Sequence, residues 1–540
     1  MHLAPGRVKR IGGFQAQIEE AGSGVRDVVR VRIPTCGGGF GQVGYQGIQP
    51  IIHLTDDLFG PSPVSPYGQH WLHTTKVTYA WTLVGYNQPW AVDHNNPNRT
   101  IAIIDTGIDM DHPEFGGDGA LPWKLHPASA TLVEGGAHLH DIVCTCAPSI
   151  YPPPDPENGP TDVQDNIWIG GYNPHGTVEA GLAGAYAQNS EGIAGVCWDC
   201  SLLVLRVAPR SRPPEDCHGC QPSDSSVAAC IRYAAGWFPG LNEDDDSQWD
   251  PVRARVICTA IEGIVNFGNE DPSFCDAENP LNKAIDLAHA RGCVIVAIMG
   301  NDTSNCWGFD NGPEPDDPTC TPMQGFAGTD CSLPLAWHPK TIAVGGACRT
   351  GLAWHCHSAV NPPLEDLGTC GYAYYPDPPG DGTAPILSVV APIEDVISTF
   401  VYDTTQNPPG ALYGFINEDS AGTSWASPQV AGLVALMLGV NSSLTFDQVK
   451  HILQVTATDI DDPGYDKRTG WGLINARAAI EYVMKQQLPG DWNGDGAVET
   501  IDAAQYIIDY SNADVMTDLN LDTAQTTDDM TIFLNSYAGE

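Results

Sequence analysis

The chain has 540 residues, of which 42% are hydrophobic, so it is long enough to bury sizeable cores in about two or three domains. Its 24 basic and 66 acidic residues give a net charge of −42, which argues against nucleic acid and anionic membranes as partners. No apolar run reaches the length that we would predict to span a membrane.

The first 66 residues carry the weakest pattern. Residues 25–33 mix Val and Arg like a short strand, and the glycine-rich run 37–41 follows. We interpret residues 1–66 as an N-terminal extension or the remnant of a propeptide. Residues 1–7 lack the apolar core of a signal peptide, which leaves two explanations open, namely a true start further upstream or export by another route.

Two polar residues follow at positions that suit catalytic side chains. Residues 101–104 form an uncharged apolar run, as expected for a central parallel strand buried on both faces, and Asp105 follows directly. A carboxylate at the carboxyl end of such a strand lies where open α/β sheets place their sites. His175 precedes Gly-Thr and the small-residue stretch 180–185, which predicts a closely packed helix.

Strand-like and helix-like patterns alternate through the next part of the chain, which predicts a parallel α/β sheet. The further predicted strands are 202–207, 256–257, 294–298 and 341–345, and a helix over 281–291 is predicted to end at Gly292. We interpret the Pro-, Asp- and Cys-rich stretches as surface insertions joined by disulfides. These stretches lie near 116–165, 208–226, 302–333 and 349–385.

Cysteine usage favours an oxidising compartment. All 17 cysteines lie between Cys36 and Cys370, a density that suggests several disulfides, and the odd number leaves at least one thiol unpaired within the chain. Two Cys-x-x-Cys pairs, at 197–200 and 217–220, have the spacing of a zinc ribbon. We favour disulfides or free thiols over zinc for these pairs.

Ser424 lies between a Gly-Thr turn and the apolar run 430–440, which predicts a buried helix. Backbone N–H groups at a helix start point outward and favour a developing negative charge, so the position suits a nucleophile beside an oxyanion site. A serine nucleophile needs a base, and the base needs a carboxylate that orients it. Asp105 and His175 supply these groups, in the chain order Asp-His-Ser.

This order and the surrounding motifs resemble the subtilisin-like serine peptidases, the subtilase family, over about residues 69–485. The motifs that carry the resemblance are Ile101–Phe115, Asn173–Thr177, Ile264–Gly268, Val294–Asp302, Ala391–Thr399 and Gly422–Pro428. The segment 294–302 is similar to the strand and turn that carry the family's oxyanion-hole asparagine. The resemblance therefore implies that the Asn301 amide and the backbone N–H of Ser424 stabilise the tetrahedral intermediate.

The resemblance also implies an α/β fold. It would be a subtilisin-like three-layer fold with a mostly parallel central sheet, in a peptidase domain over 67–488 whose last helix begins after Asn475. Its implied activity is endopeptidase cleavage of protein or peptide substrates by an Asp105–His175–Ser424 triad, through an acyl-enzyme and without an organic cofactor.

Two segments depart from the family pattern. The family continues with His-Val-Ala-Gly after His-Gly-Thr, whereas Val178 and Glu179 stand at the first two of those positions here, so Glu179 places a carboxylate within one helical turn of the base. Gly268 stands where a serine is usual. The alternative function is a catalytically silent scaffold that binds or anchors. A Ser-Glu-Asp relative of the fold lacks the histidine motif, so His175 argues against that relative.

The tail after Gly490 lacks cysteine and contains two runs with the spacing of calcium-binding loops. The first loop is predicted to bind calcium through Asp491, Asn493, Asp495 and Asp502. The second is predicted to bind it through Asp518, Asn520, Asp522 and Asp529, more weakly, because Thr523 replaces the expected glycine. Each loop leads into an apolar helix, over 503–510 and 530–537.

The paired loops resemble a dockerin module, which implies a small all-α domain over 489–540 that folds on binding two calcium ions and docks to a cohesin-like partner. The alternative for this segment is a solvated acidic tail. A further calcium site in the peptidase domain is left open. Taken together, the sequence predicts a serine endopeptidase, extracellular or on the cell surface, that is anchored or assembled through its tail.

Overall fold

The structure is a computed structural model, and it describes the following residues. They are 8–11, 14–19, 28–34, 40–43, 68–85, 92–117, 122–132, 175–207, 224–260, 280–300, 335–349, 387–400, 412–416, 422–466, 469–492, 497–521 and 524–539. They fall into two compact units, Met1–His53 and Leu54–Glu540.

The first unit contains a four-stranded antiparallel sheet in the order β1-β2-β3-β4. Its strands are β1 (Val8–Ile11), β2 (Phe14–Glu19), β3 (Val28–Pro34) and β4 (Phe40–Val43). The strand predicted over 25–33 corresponds to β3, whose alternation of Val and Arg has the two-residue period of a strand. The other three strands were not anticipated.

The second unit is built on a seven-stranded sheet in the order β11-β10-β9-β8-β5-β7-β6, in which all pairs are parallel. Its strands are β5 (Thr100–Asp105), β6 (Ala130–Thr131), β7 (Ser201–Arg206), β8 (Val256–Thr259), β9 (Val294–Ile298), β10 (Thr341–Ala347) and β11 (Leu387–Pro392). All residues of these strands are buried, as the uncharged apolar runs predict. The predicted α/β class with a mostly parallel sheet is confirmed.

Ten helices belong to the described part of this unit. They are α1 (His70–Thr74), α2 (Val77–Leu83), α3 (His175–Gly184), α4 (Asp224–Ala234), α5 (Pro280–Ala290), α6 (Ser427–Val440), α7 (Phe446–Thr456), α8 (Ala476–Gln487), α9 (Thr500–Ser511) and α10 (Thr527–Ala538). A separate antiparallel pair joins β12 (Val396–Thr399) and β13 (Tyr413–Ile416). Helix α5 ends before Gly292, which has φ +81°, as the sequence predicts.

Different helices cover the two faces of the sheet. Ile104 of β5 belongs to the hydrophobic cluster that contains α4 and α5. Ile103 and Asp105 point to the opposite face, because successive side chains of a strand alternate. Cys258 of β8 is the register partner of Ile103, and its Sγ lies 3.6 Å from the Ser427 Oγ at the start of α6. Asp105 therefore lies on the face that α6 covers.

Helix α6 is the central helix of that face. The turn and the helix together, Thr423–Val440, are long and apolar enough to cross a membrane, judged by length and composition. The sequence pattern did not predict a membrane span here. Within the protein 89% of this segment is buried, as expected for a helix at the centre of a core.

Part of one predicted insertion belongs to the sheet. Residues 122–132 lie inside the stretch 116–165, and β6 within them extends the sheet by pairing with β7. Near this strand the Leu202 N–H donates to the Lys124 carbonyl oxygen at 2.9 Å, and the His126 N–H donates to the Leu202 carbonyl oxygen at 2.7 Å. The sequence did not predict this edge strand, because the surrounding residues are rich in Pro and Gly. The remainder of the predicted insertions lies almost entirely outside the described residues.

The described cysteines form one disulfide, Cys197–Cys200, between α3 and β7. Both sulfurs are in that bond, which is the alternative favoured over zinc for this pair. Three described cysteines are buried free thiols, at positions 230, 258 and 293, so the prediction of several disulfides does not extend to them. Apart from Cys348, all other cysteines, including Cys217 and Cys220, lie outside the described residues.

Candidate active site

Asp105 and His175 meet where β5 ends and α3 begins. The His175 Nδ1 lies 2.9 Å from the Asp105 Oδ2. The second carboxylate oxygen, Oδ1, accepts a hydrogen bond from the Thr106 N–H at 2.6 Å, and Asp105 is only 2% exposed. This contact holds the carboxylate in one orientation, so that it can fix the tautomer of the imidazole and stabilise its protonated form.

Gly176 is required for this close approach. A Cβ at this position would lie 2.2 Å from the Gly107 carbonyl oxygen and 3.0 Å from the Asp105 Oδ1. The Gly176 N–H donates to the Thr106 Oγ1 at 3.0 Å, which ties the first turn of α3 to the end of β5. The glycine of the His-Gly-Thr motif therefore has a steric role, because any side chain would push the histidine away from the aspartate.

Thr177 anchors the same helix on two sides. Its Oγ1 accepts from the Asp109 N–H at 2.9 Å, and its carbonyl oxygen accepts from the Thr399 Oγ1 at 2.7 Å. Gly181 allows β12 to lie against α3, since a Cβ there would approach the Thr399 Oγ1 to 2.2 Å. These contacts fix α3, and with it His175, against the segment that contains Asp109 and against β12.

Ser424 lies in a short 3-10 turn, Thr423–Trp425, immediately before α6, and is 5% exposed. The sequence predicted the serine at the helix start, whereas α6 itself begins at Ser427. The ring of Trp425, the next residue, lies 4.9 Å from the His175 ring, centroid to centroid. The structure therefore brings the serine turn beside the imidazole.

Asn301 lies outside the described residues, as do residues 264–268 and Asn173. Gly300, which precedes Asn301, is described, and its carbonyl oxygen accepts from the Thr423 Oγ1 at 3.2 Å. The residue before the asparagine thus contacts the residue before the serine. The end of β9 and the serine turn are neighbours, which is the arrangement that an oxyanion site would need.

Glu179 supplies a second carboxylate to the imidazole. Its Oε1 lies 3.3 Å from the His175 Nδ1, and its side chain is 0% exposed. The ligand atoms of Asp105, His175 and Glu179 all lie within 4.8 Å of one another, close enough to hold a cation. A cation there would occupy the nitrogen that Asp105 orients, so it would compete with the role of His175 as a base.

Sequence reasoning missed three neighbours of this site. Trp425 packs on the imidazole, Thr106 links β5 to α3, and Cys258 lies beneath the carboxylates on the same sheet face. Burial raises the pKa of the Cys258 thiol well above its ordinary value, and the Glu179 and Asp105 charges raise it further. Only the register of β8 against β5 could have indicated Cys258, and that register is a property of the folded sheet.

The tail contains four buried carboxylates at predicted calcium-ligand positions. Asp502 and Asp529 are 0% exposed, Asp518 is 5% exposed and Asp491 is 8% exposed. Three of the other predicted ligands, Asn493, Asp495 and Asp522, lie outside the described residues. Buried carboxylates require compensation by hydrogen bonds or a cation, and oxygen-only ligands suit a hard cation such as calcium. The chemistry of the described residues therefore fits the calcium ions that the sequence predicts.

Backbone donors orient one of these carboxylates. The Asp529 Oδ1 accepts from the N–H groups of Leu519 and Asn520 at 2.8 and 3.1 Å, and its Oδ2 accepts from the Thr526 N–H at 2.7 Å. These bonds join the start of the second predicted loop, 518–520, to the first turn of α10. The Asp529 carboxylate is thereby aimed at the loop whose other ligands it would join.

The tail also contacts the peptidase region. The Tyr482 Oη of α8 donates to the Asp518 carbonyl oxygen at 2.9 Å, and the His451 Nε2 of α7 lies 3.6 Å from the Asp518 Oδ2. The Lys485 Nζ lies 4.0 Å from the centre of the Trp492 ring. The predicted domain boundary at 488/489 therefore separates two parts that touch through α7 and α8.

Comparisons with known proteins place these motifs among proteases. The model described as "Subtilase family" matches residues 96–472. The "Extracellular serine protease" of Serratia marcescens is 23% identical over 452 residues, 77% of this chain and 36% of that protein. "Subtilisin DY" of Bacillus licheniformis is 26% identical over 405 residues, 75% of this chain and 99% of that protein.

The name of a third relative mentions calcium. The "Calcium-dependent protease" of Trichormus variabilis is 24% identical over 463 residues, 82% of this chain and 52% of that protein. The chain thus spans only 36% of the Serratia protein and 52% of the Trichormus protein, whereas it spans nearly the whole length of subtilisin DY.

Proposed function

The chain belongs to the subtilase family, and we propose that it is a secreted serine endopeptidase that hydrolyses peptide bonds through Ser424, His175 and Asp105. The observation that carries the proposal is the 2.9 Å contact between His175 and Asp105, with the serine turn packed on the imidazole through Trp425. Family membership alone does not establish activity, because function resides in the site.

The proposed reaction begins with attack of the Ser424 Oγ on the scissile carbonyl carbon. The His175 Nε2 takes the hydroxyl proton and then gives it to the leaving amine as the C–N bond breaks. Asp105 keeps the Nδ1 proton in place and stabilises the imidazolium. The oxyanion accepts hydrogen bonds from the Ser424 N–H and the Asn301 amide, and water then hydrolyses the acyl-enzyme by the same steps.

The proposed activity is tested directly by a fluorophosphonate probe, which reacts only with an activated serine. Incubation of the whole protein with the probe, followed by peptide mapping, is expected to place the label on Ser424. An unlabelled protein that remains folded would favour the second candidate, a silent scaffold. That candidate is motivated by Glu179, whose buried carboxylate departs from the family pattern beside the base.

Asn301→Ala is expected to lower kcat by about 10²–10³-fold and to leave KM nearly unchanged. The amide would act mainly in the transition state, where the carbonyl oxygen becomes negative, so its loss affects the chemical step and not substrate binding. Steady-state kinetics on a peptide substrate measure both constants. Asn95→Ala, at an exposed position, is the matched control. An effect confined to KM would remove Asn301 from the oxyanion role.

For the tail we propose a dockerin-like module that binds two calcium ions and docks to a cohesin-like partner. Calcium would neutralise the buried carboxylates of the two loops and so allow α9 and α10 to pack. The name of the Trichormus relative is in line with a calcium requirement. Six exposed large apolar side chains of the tail would suit a partner surface. They are Val498, Ile501, Ile507, Ile508, Val515 and Leu534.

Asp502→Ala and Asp529→Ala are each expected to reduce the number of calcium ions bound by the full-length protein by one. Each substitution removes the carboxylate at the last ligand position of one loop, and this position contributes strongly to calcium binding. Equilibrium dialysis against calcium measures the stoichiometry. Asp528→Ala is the matched control, because its exposed carboxylate neighbours Asp529. If the wild type and all three variants bound the same number of calcium ions, the loops would be a solvated acidic tail.

The proposed location is extracellular. The Serratia relative is named as an extracellular protease, and the Cys197–Cys200 disulfide is typical of an oxidising compartment. Attachment at the cell surface through the tail would follow from the proposed docking to a cohesin-like partner.

A further inference from the structure

His175 and Glu179 lie one helical turn apart on the same side of α3. Side chains four residues apart on a helix are neighbours, and they lean toward the N-terminal end, so the Glu179 carboxylate points back toward the imidazole. Its Oε1 lies 3.3 Å from the His175 Nδ1, and the Asp105 Oδ2 lies 2.9 Å from the same nitrogen. Two carboxylate oxygens therefore lie beside one ring nitrogen, and Asp105 accepts its hydrogen bond.

This contact is unlike a surface ion pair. The Glu179 side chain is 0% exposed and that of Asp105 is 2% exposed, whereas 27% of the His175 side chain is accessible. A buried carboxylate is costly unless hydrogen bonds or charges compensate it, and His175 is the neighbour that can become positively charged. The Glu179 carboxylate is shielded from water, which would otherwise weaken its effect on the imidazole.

Two further buried ionisable groups lie on the strands that flank β5. Arg206 of β7 is the register partner of Asp105 and is 3% exposed. Cys258 of β8 is fully buried, and its raised thiol pKa keeps it neutral beside the carboxylates. Among the described residues, Asp105 and Glu179 are the anionic groups in ion-pair contact with His175.

We propose that Glu179 is a positioning residue whose buried negative charge, 3.3 Å from the Nδ1 that Asp105 accepts from, stabilises the protonated form of His175. The proton stays on Nδ1 throughout, and the Ser424 proton is taken up at Nε2. Asp105 then holds the ring through its hydrogen bond, and the two negative charges of Asp105 and Glu179 stabilise the imidazolium that forms during attack. The inference rests on the proposed function, in which His175 is the base.

The first test is kinetic. Glu179→Gln keeps the size of the side chain and removes its charge. We expect kcat to fall about tenfold with KM unchanged, and the acidic limb of the kcat/KM profile to move down by about one pH unit. The sign follows from the charge, because without Glu179 the protonated imidazole is less stable, so the base remains available at lower pH. Glu114→Gln is the matched control, since Glu114 is also 0% exposed but is held by the Ile193 N–H.

A double-mutant cycle separates positioning from packing. Asp105→Asn alone leaves Glu179 as the remaining negative charge beside the imidazole, so the double variant with Glu179→Gln is expected to lose at least about tenfold more activity than the product of the two single effects. If Glu179 only packed against its neighbours, the loss of activity in the double variant would equal the product of the two single losses. Effects that multiply, together with an unchanged acidic limb, would overturn the proposal.

The closing experiment does not need activity. In the Ser424→Ala background, the titration midpoint of the His175 ring is followed by NMR of histidine-labelled protein, with the signal assigned by its loss in His175→Ala. Glu179→Gln is expected to lower this midpoint by about one unit. An unchanged midpoint overturns the inference, as does a midpoint that moves on addition of chelator, because a cation would then link the three groups. Absence of fluorophosphonate labelling in the wild type would instead overturn the proposed function.

Discussion

Replacing Ser424 by alanine is expected to lower kcat for peptide cleavage by about 10⁶-fold and to abolish fluorophosphonate labelling. The hydroxyl is the nucleophile of the proposed reaction, and no acyl-enzyme can form without it, so only the catalysis due to the oxyanion site and substrate binding remains. The measurement is the rate of peptide hydrolysis together with the labelled fraction of the protein.

The matched control is Ser443→Ala. Ser443 is exposed in the turn that follows the other end of α6, so its hydroxyl can be removed without disturbing the site. The control is expected to hydrolyse the peptide at the wild-type rate. Equal cleavage by the Ser424→Ala variant and the wild type would exclude Ser424 as the nucleophile.

His175→Ala is expected to lower kcat by nearly the same factor, about 10⁶-fold. Without the imidazole the Ser424 hydroxyl keeps its proton at neutral pH and is a poor nucleophile. Because the two residues act as a unit, the double variant with Ser424→Ala is expected to be no slower than either single variant. Hydrolysis rates of the three variants, measured at equal protein concentration, test this non-additivity.

Loss of the His175 ring also removes its contact with Trp425, so the stability of the variant must be measured separately. His73→Ala is the matched control, since His73 is exposed on α1. Thermal unfolding followed by circular dichroism shows whether each variant is folded. A folded His175→Ala variant that keeps substantial activity would rule out His175 as the base.

Local signals were sufficient for the elements that carry the site. The uncharged run before Asp105 predicted β5, because a strand buried on both faces needs apolar residues at successive positions. Asn475 predicted the start of α8, and its side chain accepts from the Ala478 N–H at 3.2 Å, as an N-cap residue does. These features depend on residues that are close in sequence, which is why the sequence alone reveals them.

Contacts between distant segments could not be obtained in this way. Asp105 and His175 are 70 positions apart, and only the packing of α3 on β5 establishes the 2.9 Å contact between them. The sequence placed Glu179 within a turn of His175, but not its burial or its 3.3 Å approach to Nδ1. Both depend on how β12 and α6 cover α3.

The tail shows the same division. The ligand spacing and the apolar periodicity of α9 and α10 were visible in the sequence, because helices and loops of this kind have local repeats. The contacts of Tyr482 and His451 with Asp518 were not. By itself the sequence determined the family motifs, the parallel strands and the candidate ligands. The tertiary structure alone decided which side chains share a buried face, since register and helix packing set the distances between segments that are far apart in the chain.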